Sequence, residues 1–375
     1  MNKIQLEGTF FDAEDFISNQ MPLFFTKNSI HKKLYLFLKD WFSPEETISL
    51  YTSGSTGKPK EIVVRKSHML QSAAMTCRFF NLSRNDKALL CLSTDYIAGK
   101  MMVVRAIYSG MNLYPVEVSG HPLLSFNSTA ISYDSEEISF DFAAMIPLQV
   151  YNSLSTTIER SRLSKIKNII IGGGSIDLDL EEALKDLPNS IYSTYGMTET
   201  LSHIGLRKVN GDDASLYYTP LEGIDLKLSD NQTLVIHAPH ISDDILTTND
   251  IAEIKSDGSF KILGRIDNII NTGGIKVQIE EIEQQLLPHL KSNFAVTSIP
   301  HPKLGEAIVL LAEPFSQQNN IDEIIKEAFN TIPLYHQPKY FFTISEIPMT
   351  DSGKKDRKAI KELALRSYYE YKPEF

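Results

Sequence analysis

Nine residues, TSGSTGKPK (52–60), carry four hydroxyls, two glycines and two lysines, and no bulky apolar side chain. Thr52, Ser53, Ser55 and Thr56 offer hydrogen-bonding groups. Gly54 and Gly57 let the backbone turn so that N–H groups converge on one anion. Lys58 and Lys60 add positive charge. A polyphosphate is the ligand that suits this composition. The loop is not a Walker motif, which needs four residues between its glycine and the Gly-Lys pair; here only Ser55 and Thr56 intervene. A flexible Gly/Ser linker is the other reading. The loop lies between two strand-like runs, TISLY and KEIVVRK, rather than between domains, and that favours the anion site.

The rest of the chain must supply any further counter-charge, because its 375 residues carry a net charge of −10. That balance argues against general binding to nucleic acid or acidic membranes. Apolar residues make up 42% and charged residues 22%, as in an ordinary globular protein. Two cysteines, Cys77 and Cys91, give no disulfide framework and no cysteine metal site. The N-terminus has early acids and no apolar signal-like core, and no apolar run approaches the roughly 18 residues of a membrane span. A soluble, cytoplasmic protein is the expectation.

The elements that must position the loop follow from periodicity. IHKKLYLFLKDWF (30–42) has helical spacing, and SHMLQSAAMTCRFFNL (67–82) reads as a helix capped by Ser67. KALLCLST, NLYPVEV, DFAAMI, IKNIII and SIYSTYG are short apolar strands alternating with helices, the mark of an α/β fold with a mostly parallel sheet. IDLKLSDNQTLVIHA and AEIKSDGSFKILGR alternate apolar and polar residues and read as antiparallel strands. After GRIDN the pattern restarts with a helix, two strands, a helix at 321–330 and a basic tail. We expect a large N-terminal α/β domain over 1–265 and a small α+β C-terminal domain over 266–375.

TSGSTGKPK strongly resembles the phosphate loop of the adenylate-forming enzymes: the acyl-CoA synthetases, adenylation domains and luciferases. Four more segments follow in the family's order. YGMTET (195–200) is similar to its aromatic-Gly-x-Thr-Glu motif. TTND (247–250) is similar to its Thr-Gly-Asp motif, with Asn249 where glycine is usual. GRIDNIINTGGIKVQIEEIE (264–283) resembles the hinge motif, and PMTDSGKKDRK (348–358) the C-terminal Ser-Gly-Lys motif. The phosphate loop begins at residue 52, whereas in most of the family it lies well over a hundred residues in. The resemblance therefore implies that most of an N-terminal subdomain is missing. A second departure is Glu61, where glycine is common.

The resemblance implies a two-step reaction. A carboxylate attacks the α-phosphorus of ATP and expels pyrophosphate; the thiol of CoA, the co-substrate, then attacks the acyl-adenylate and releases AMP. Such chemistry depends on positioning and charge stabilisation. Lys354 would bridge the carboxylate and the α-phosphate. Thr198 would donate to the α-phosphate, and Glu199 would hold Mg²⁺, a hard cation that takes oxygen ligands. Tyr195, next to Gly196, would stack on adenine. Asp250 would accept from the ribose hydroxyls, and Arg265 would reach the same side. Gly172, Gly173 and Gly174, after IKNIII, would let the base approach the backbone, or simply make a tight turn. Asp267 would be the hinge, and rotation would exchange Lys354 for Thr272, Gly273 and Gly274 at the thiol channel.

Within the family, GRIDNIINTGG is most similar to the o-succinylbenzoate–CoA ligases of menaquinone biosynthesis. In DYIAGKMMVVRAIYSG (95–110), Tyr96 replaces the histidine usual in that group. A second, unreacted carboxylate on such a substrate favours a cation, so Lys100 and Arg105 are acyl-pocket candidates, with His203 beside them; each could equally be a surface or structural residue. Other carboxylate–CoA ligases, an enzyme that loads a carrier protein, and a non-catalytic nucleotide-binding homologue stay open. A homodimer is compatible with all of them.

Overall fold

The structure is a computed structural model that describes residues 2–18, 20–51, 61–125, 139–290, 292–314, 321–350 and 355–371. Its largest element is a nine-stranded sheet. Lys3–Leu6, Asn112–Pro115, Lys87–Leu90, Phe142–Met145, Asn168–Ile171 and Ser190–Gly196 lie side by side in that order, all parallel. Thr9–Asp12 closes one edge antiparallel; His203–Lys208 and Thr219–Pro220 close the other. The expected α/β class with a mostly parallel sheet is borne out. Parallel strands are apolar on both faces because helices cover both. Ala88, Leu90, Phe142 and Ala144 enter one core, and their neighbours Leu89, Cys91, Ala143 and Met145 enter another.

The hairpin Thr47–Tyr51 and Glu61–Arg65 forms a separate two-stranded sheet. Residues 52–60 connect its strands, and so the whole phosphate-loop motif lies outside the described residues. The helix after it corrects one expectation. It spans Lys66–Phe79, its N-cap is Arg65 with no side-chain cap bond, and Ser67 sits inside the first turn. The cause is tertiary. The Lys66 amide donates to Glu46 O (2.9 Å), and its ammonium donates to Ser43 O (2.9 Å), so the chain leaves the hairpin straight into the helix.

Ser29–Phe42 is helical as expected, started by the Asn28 side chain accepting from the His31 amide. Its apolar face joins Phe11, Phe16, Phe24 and Phe25 in an aromatic cluster beside the first two strands. Those strands were not read from the sequence. They are four residues each, and only Ile4, Leu6 and Phe11 in them are buried.

Asp225–Leu228, Thr233–His237, Leu246–Ile254 and Phe260–Arg265 form the expected antiparallel sheet of four strands. Its core residues Leu234, Ile236, Ala252 and Phe260 pack with the large sheet. From Ile270 onward every core residue belongs to two other clusters, one on each face of a five-stranded sheet. Val296, Ile308 and Leu310 face the helices Ile279–Leu286 and Ile321–Asn330, while Ala295, Ile299, Val309 and Leu311 face Arg357–Tyr371. Among the described residues no helix is long and apolar enough to cross a membrane.

Candidate active site

Open parallel sheets bind ligands beyond the carboxyl ends of their strands, and two of the expected nucleotide segments, Gly172–Gly174 and the turn after Gly196, lie there. Asn168–Ile171 runs into Gly172, whose amide donates to Met145 O (3.0 Å). A Cβ at Gly172 would lie 2.5 Å from Thr194 Oγ1, and Gly173 has φ +82°, so the protein itself requires glycine at both. Gly174 differs: a Cβ there would meet nothing closer than Pro147 at 3.6 Å.

Ser190–Gly196 ends in the second motif. A Cβ on Gly196 would stand 2.2 Å from Ser202 O across the antiparallel neighbour. The turn after it is knotted by Thr200, which is fully buried. Its hydroxyl accepts from the Met197 amide (2.9 Å) and lies 2.7 Å from Ser202 O. Thr198 and Glu199 ride on this turn, half-buried and exposed respectively, and neither side chain has a hydrogen-bond partner among the described residues. Both are free to meet a ligand. The sequence reading missed the role of Thr200, although it lies inside the quoted motif.

Tyr195, Asp250, Arg265 and Asp267 are brought together. Tyr195 packs edge-on against Phe260, and its hydroxyl donates to Asp250 Oδ2 (2.5 Å). Asp250 and Arg265 are cross-strand partners, and Arg265 Nη1 donates to Asp250 Oδ1 (2.9 Å). Arg265 Nη2 donates to Asp267 Oδ2 (3.1 Å). Burial, then the Asp250 charge, pushes the Tyr195 hydroxyl far above its ordinary value, so it stays a donor. Each Asp250 oxygen retains a free lone pair for a ligand hydroxyl.

A second cluster lies directly beside Gly196, because His203 pairs with it across the sheet. Arg105 is 1% exposed on the helix Ile97–Ser109, and its Nη2 donates to Ser202 Oγ (2.5 Å). Its Nε has no partner, and no carboxylate pairs with it among the described residues. Burial pulls its pKa down to about 10. His203 Nε2 lies 3.0 Å from Thr76 Oγ1, and Thr76 in turn reaches Ser72 O (3.4 Å). With Thr76 donating to Ser72 O, Nε2–H donates to Thr76, and burial followed by the Arg105 charge holds His203 well below its ordinary value. Thr76 and Ser202 carried no signal in the sequence; Thr76 is 127 residues from its histidine partner.

Lys100 does not join Arg105. Its ammonium lies 5.8 Å from the Phe37 ring, where burial lowers its pKa against the pull of Asp40 and Asp95. Tyr96, at the N-cap of the same helix, is 49% exposed. The helix therefore divides the acyl-pocket candidates: Arg105 and His203 together, Lys100 and Tyr96 apart from them.

Thr272 is buried, and Gly273 and Gly274 form the two-residue turn between Ile269–Thr272 and Ile275–Gln278 with φ +61° and +84°. Two successive positive φ values need glycine in such hairpins. Lys354 lies outside the described residues. Its neighbour Lys355 is anchored: Lys355 Nζ sits 3.2 Å from Glu283, and Arg357 donates to both Glu283 oxygens at 2.8 and 2.9 Å. Burial raises the Glu283 pKa, but those two cations outweigh it and hold the carboxyl below its ordinary range.

A parallel sheet with these motifs at its carboxyl ends defines a nucleotide-binding class. The model of the AMP-binding enzyme family matches residues 15–240, and the chain belongs to that family. It is 24% identical over 357 residues to the 2-succinylbenzoate–CoA ligase of Listeria monocytogenes, covering 87% of this chain and 72% of that one. The enzyme of the same name from Bacillus cereus is 23% identical, with 93% and 77% covered. Among solved structures, an acyl-CoA synthetase (AMP-forming)/AMP-acid ligase II-like protein from Dyadobacter fermentans is 29% identical. It covers 94% of this chain and 97% of its own, with a TM-score of 0.61. O-succinylbenzoate CoA synthetase from Bacillus subtilis, in complex with ATP and magnesium ion, has the same fold at 21% identity and a TM-score of 0.66; the match covers 83% of this chain and 69% of that one.

Proposed function

We propose that the protein is an ATP-dependent carboxylate–CoA ligase acting on o-succinylbenzoate in the cytoplasm, by way of an acyl-adenylate. Family membership and the named relatives support the ligase class. The observation that carries the acid is Arg105: a buried guanidinium beside the Gly196 turn whose hydrogen-bond partner among the described residues is the Ser202 hydroxyl. An unpaired buried charge is costly, and the distal carboxylate of a dicarboxylic substrate would complete the pair.

Thr198 donates to the α-phosphate from the turn that Thr200 holds. Asp250 accepts the ribose hydroxyls, with Tyr195 and Arg265 fixing its orientation, and the adenine ring stacks on Tyr195. The backbone at Gly172–Gly174 accepts the edge of the base. Glu199 would hold Mg²⁺; its exposed carboxylate, unengaged by the described residues, fits a hard cation. The ion supplies charge neutralisation of the polyphosphate when bound. The phosphate loop, residues 52–60, cradles the β- and γ-phosphates. Lys354 neutralises charge at the reacting carboxylate and α-phosphate from a second domain, 266–375, which turns about Asp267 against the first, 1–265. The split of the core clusters between Phe260 and Ile270 supports that division.

The test compares kcat/KM for o-succinylbenzoate and for benzoate, which lacks the second carboxylate. Arg105→Gln should cost on the order of a hundredfold with the first acid and little with the second. Equal loss with both would remove Arg105 from the acyl pocket.

A further inference from the structure

Asp267 has a partner that a glycine at position 249 could not supply. Asn249 lies exposed on the strand Leu246–Ile254, and its Nδ2 donates to both oxygens of Asp267, at 3.2 and 3.0 Å. Arg265 is the other group on that carboxylate. The side chain of Asp267 is otherwise open to solvent, 54% exposed. The strand bearing Asn249 shares its core with the large sheet through Ala252, while the turn Ile266–Asn268 leads directly to the first residue of the other core, Ile270. The bond therefore spans the joint between the two cores.

We propose that Asn249 is a latch: a positioning residue whose amide holds Asp267 in this backbone state and thereby favours one arrangement of the two halves over the other. The inference rests on Asp267 being the hinge. A turn residue that must change its backbone angles during rotation carries its side chain with it, so the two amide–carboxylate bonds form in one state and are lost in the other. That gives the differential contact a population shift requires. Arg265 bridges Asp250 and Asp267. Binding at Asp250 and release at Asp267 thus share one guanidinium.

The experiment attaches a fluorophore pair to the full chain through Asp230→Cys and Glu362→Cys, both exposed and outside the site. Cys77 and Cys91 are buried, with thiols pushed up to about 11 and about 12 by burial, and label poorly. Distance distributions are recorded alone, with ATP-Mg²⁺ and o-succinylbenzoate, and after CoA. Three substitutions are compared on this background: Asn249→Gly, Asn249→Ala and Asn249→Asp. The Gly and Ala changes should deplete the latched arrangement of the free protein about threefold to tenfold, and Asn249→Asp, which sets like charges together, should deplete it further. The rates of adenylate formation and of thioester formation should move in opposite directions. Unchanged distributions, or both rates falling by one factor, would overturn the latch. If the wild-type distances do not respond to ligands at all, the hinge itself is wrong and the latch falls with it.

Discussion

His203 and Arg105 share one buried network and answer to the same physics with different results. Both lose hydration; Arg105 keeps its charge because its ordinary pKa is so high, and His203 gives its charge up. The sign of the consequence for stability is fixed. The unfolded chain takes up a proton on this histidine below about 6.5, and the folded protein does not, so stability is lost as pH falls through that value. Urea midpoints measured from pH 7.5 to 5.5 should decline more steeply in the wild type than in His203→Gln. Parallel slopes would mean that His203 is not the group responsible. At the same scale, Thr200→Val keeps the shape but removes the hydroxyl that ties Met197 to Ser202. Adenylate formation should slow by tenfold or more, about 1.4 kcal/mol, as checked by pyrophosphate exchange, with KM for CoA in the full reaction unchanged.

Elements decide how much of this was readable. The parallel strands were legible because they are apolar on both faces, and the later strands because they alternate. The first two strands were not, since they are short and complete an edge whose partner lies more than a hundred residues away. The helix start at Lys66 was misassigned for a related reason. Ser67 is a good cap by type, but the hairpin had already delivered the chain into the helix. In the site, order and residue type placed Tyr195, Asp250, Arg265 and Asp267, and the structure joins them in one hydrogen-bonded chain. Lys100 and Arg105 are about one and a half helical turns apart and so need not share a face; the fold separates them, Arg105 toward His203 and Lys100 toward Phe37. Two predictions belong to this scale. Gly196→Ala drives a methyl into Ser202 O, which should cost about 1–3 kcal/mol of stability and displace the turn bearing Thr198. Glu283→Gln releases Lys355 and Arg357 from the base of the segment bearing Lys354. It should depress adenylate formation more than thioester formation from supplied acyl-adenylate; equal depression would make Glu283 a general stabiliser.

For the molecule as a whole, the N-terminal residues complete the edge of the large sheet. Two strands extend the large sheet, and the helix Ser29–Phe42 seals an aromatic cluster against them. The proposed division, with the nucleotide site before residue 266 and Lys354 after it, would suit two half-reactions performed around one adenylate. The most direct test is product analysis: purified protein, ATP-Mg²⁺, CoA and a panel of o-succinylbenzoate, benzoate, cinnamates and short fatty acids, with pyrophosphate followed in time and products identified by mass. We expect rapid pyrophosphate release and a CoA thioester with o-succinylbenzoate, and the adenylate when CoA is withheld. Release of no pyrophosphate with any acid, or adenylate that never becomes a CoA thioester, would contradict the ligase assigned to this chain.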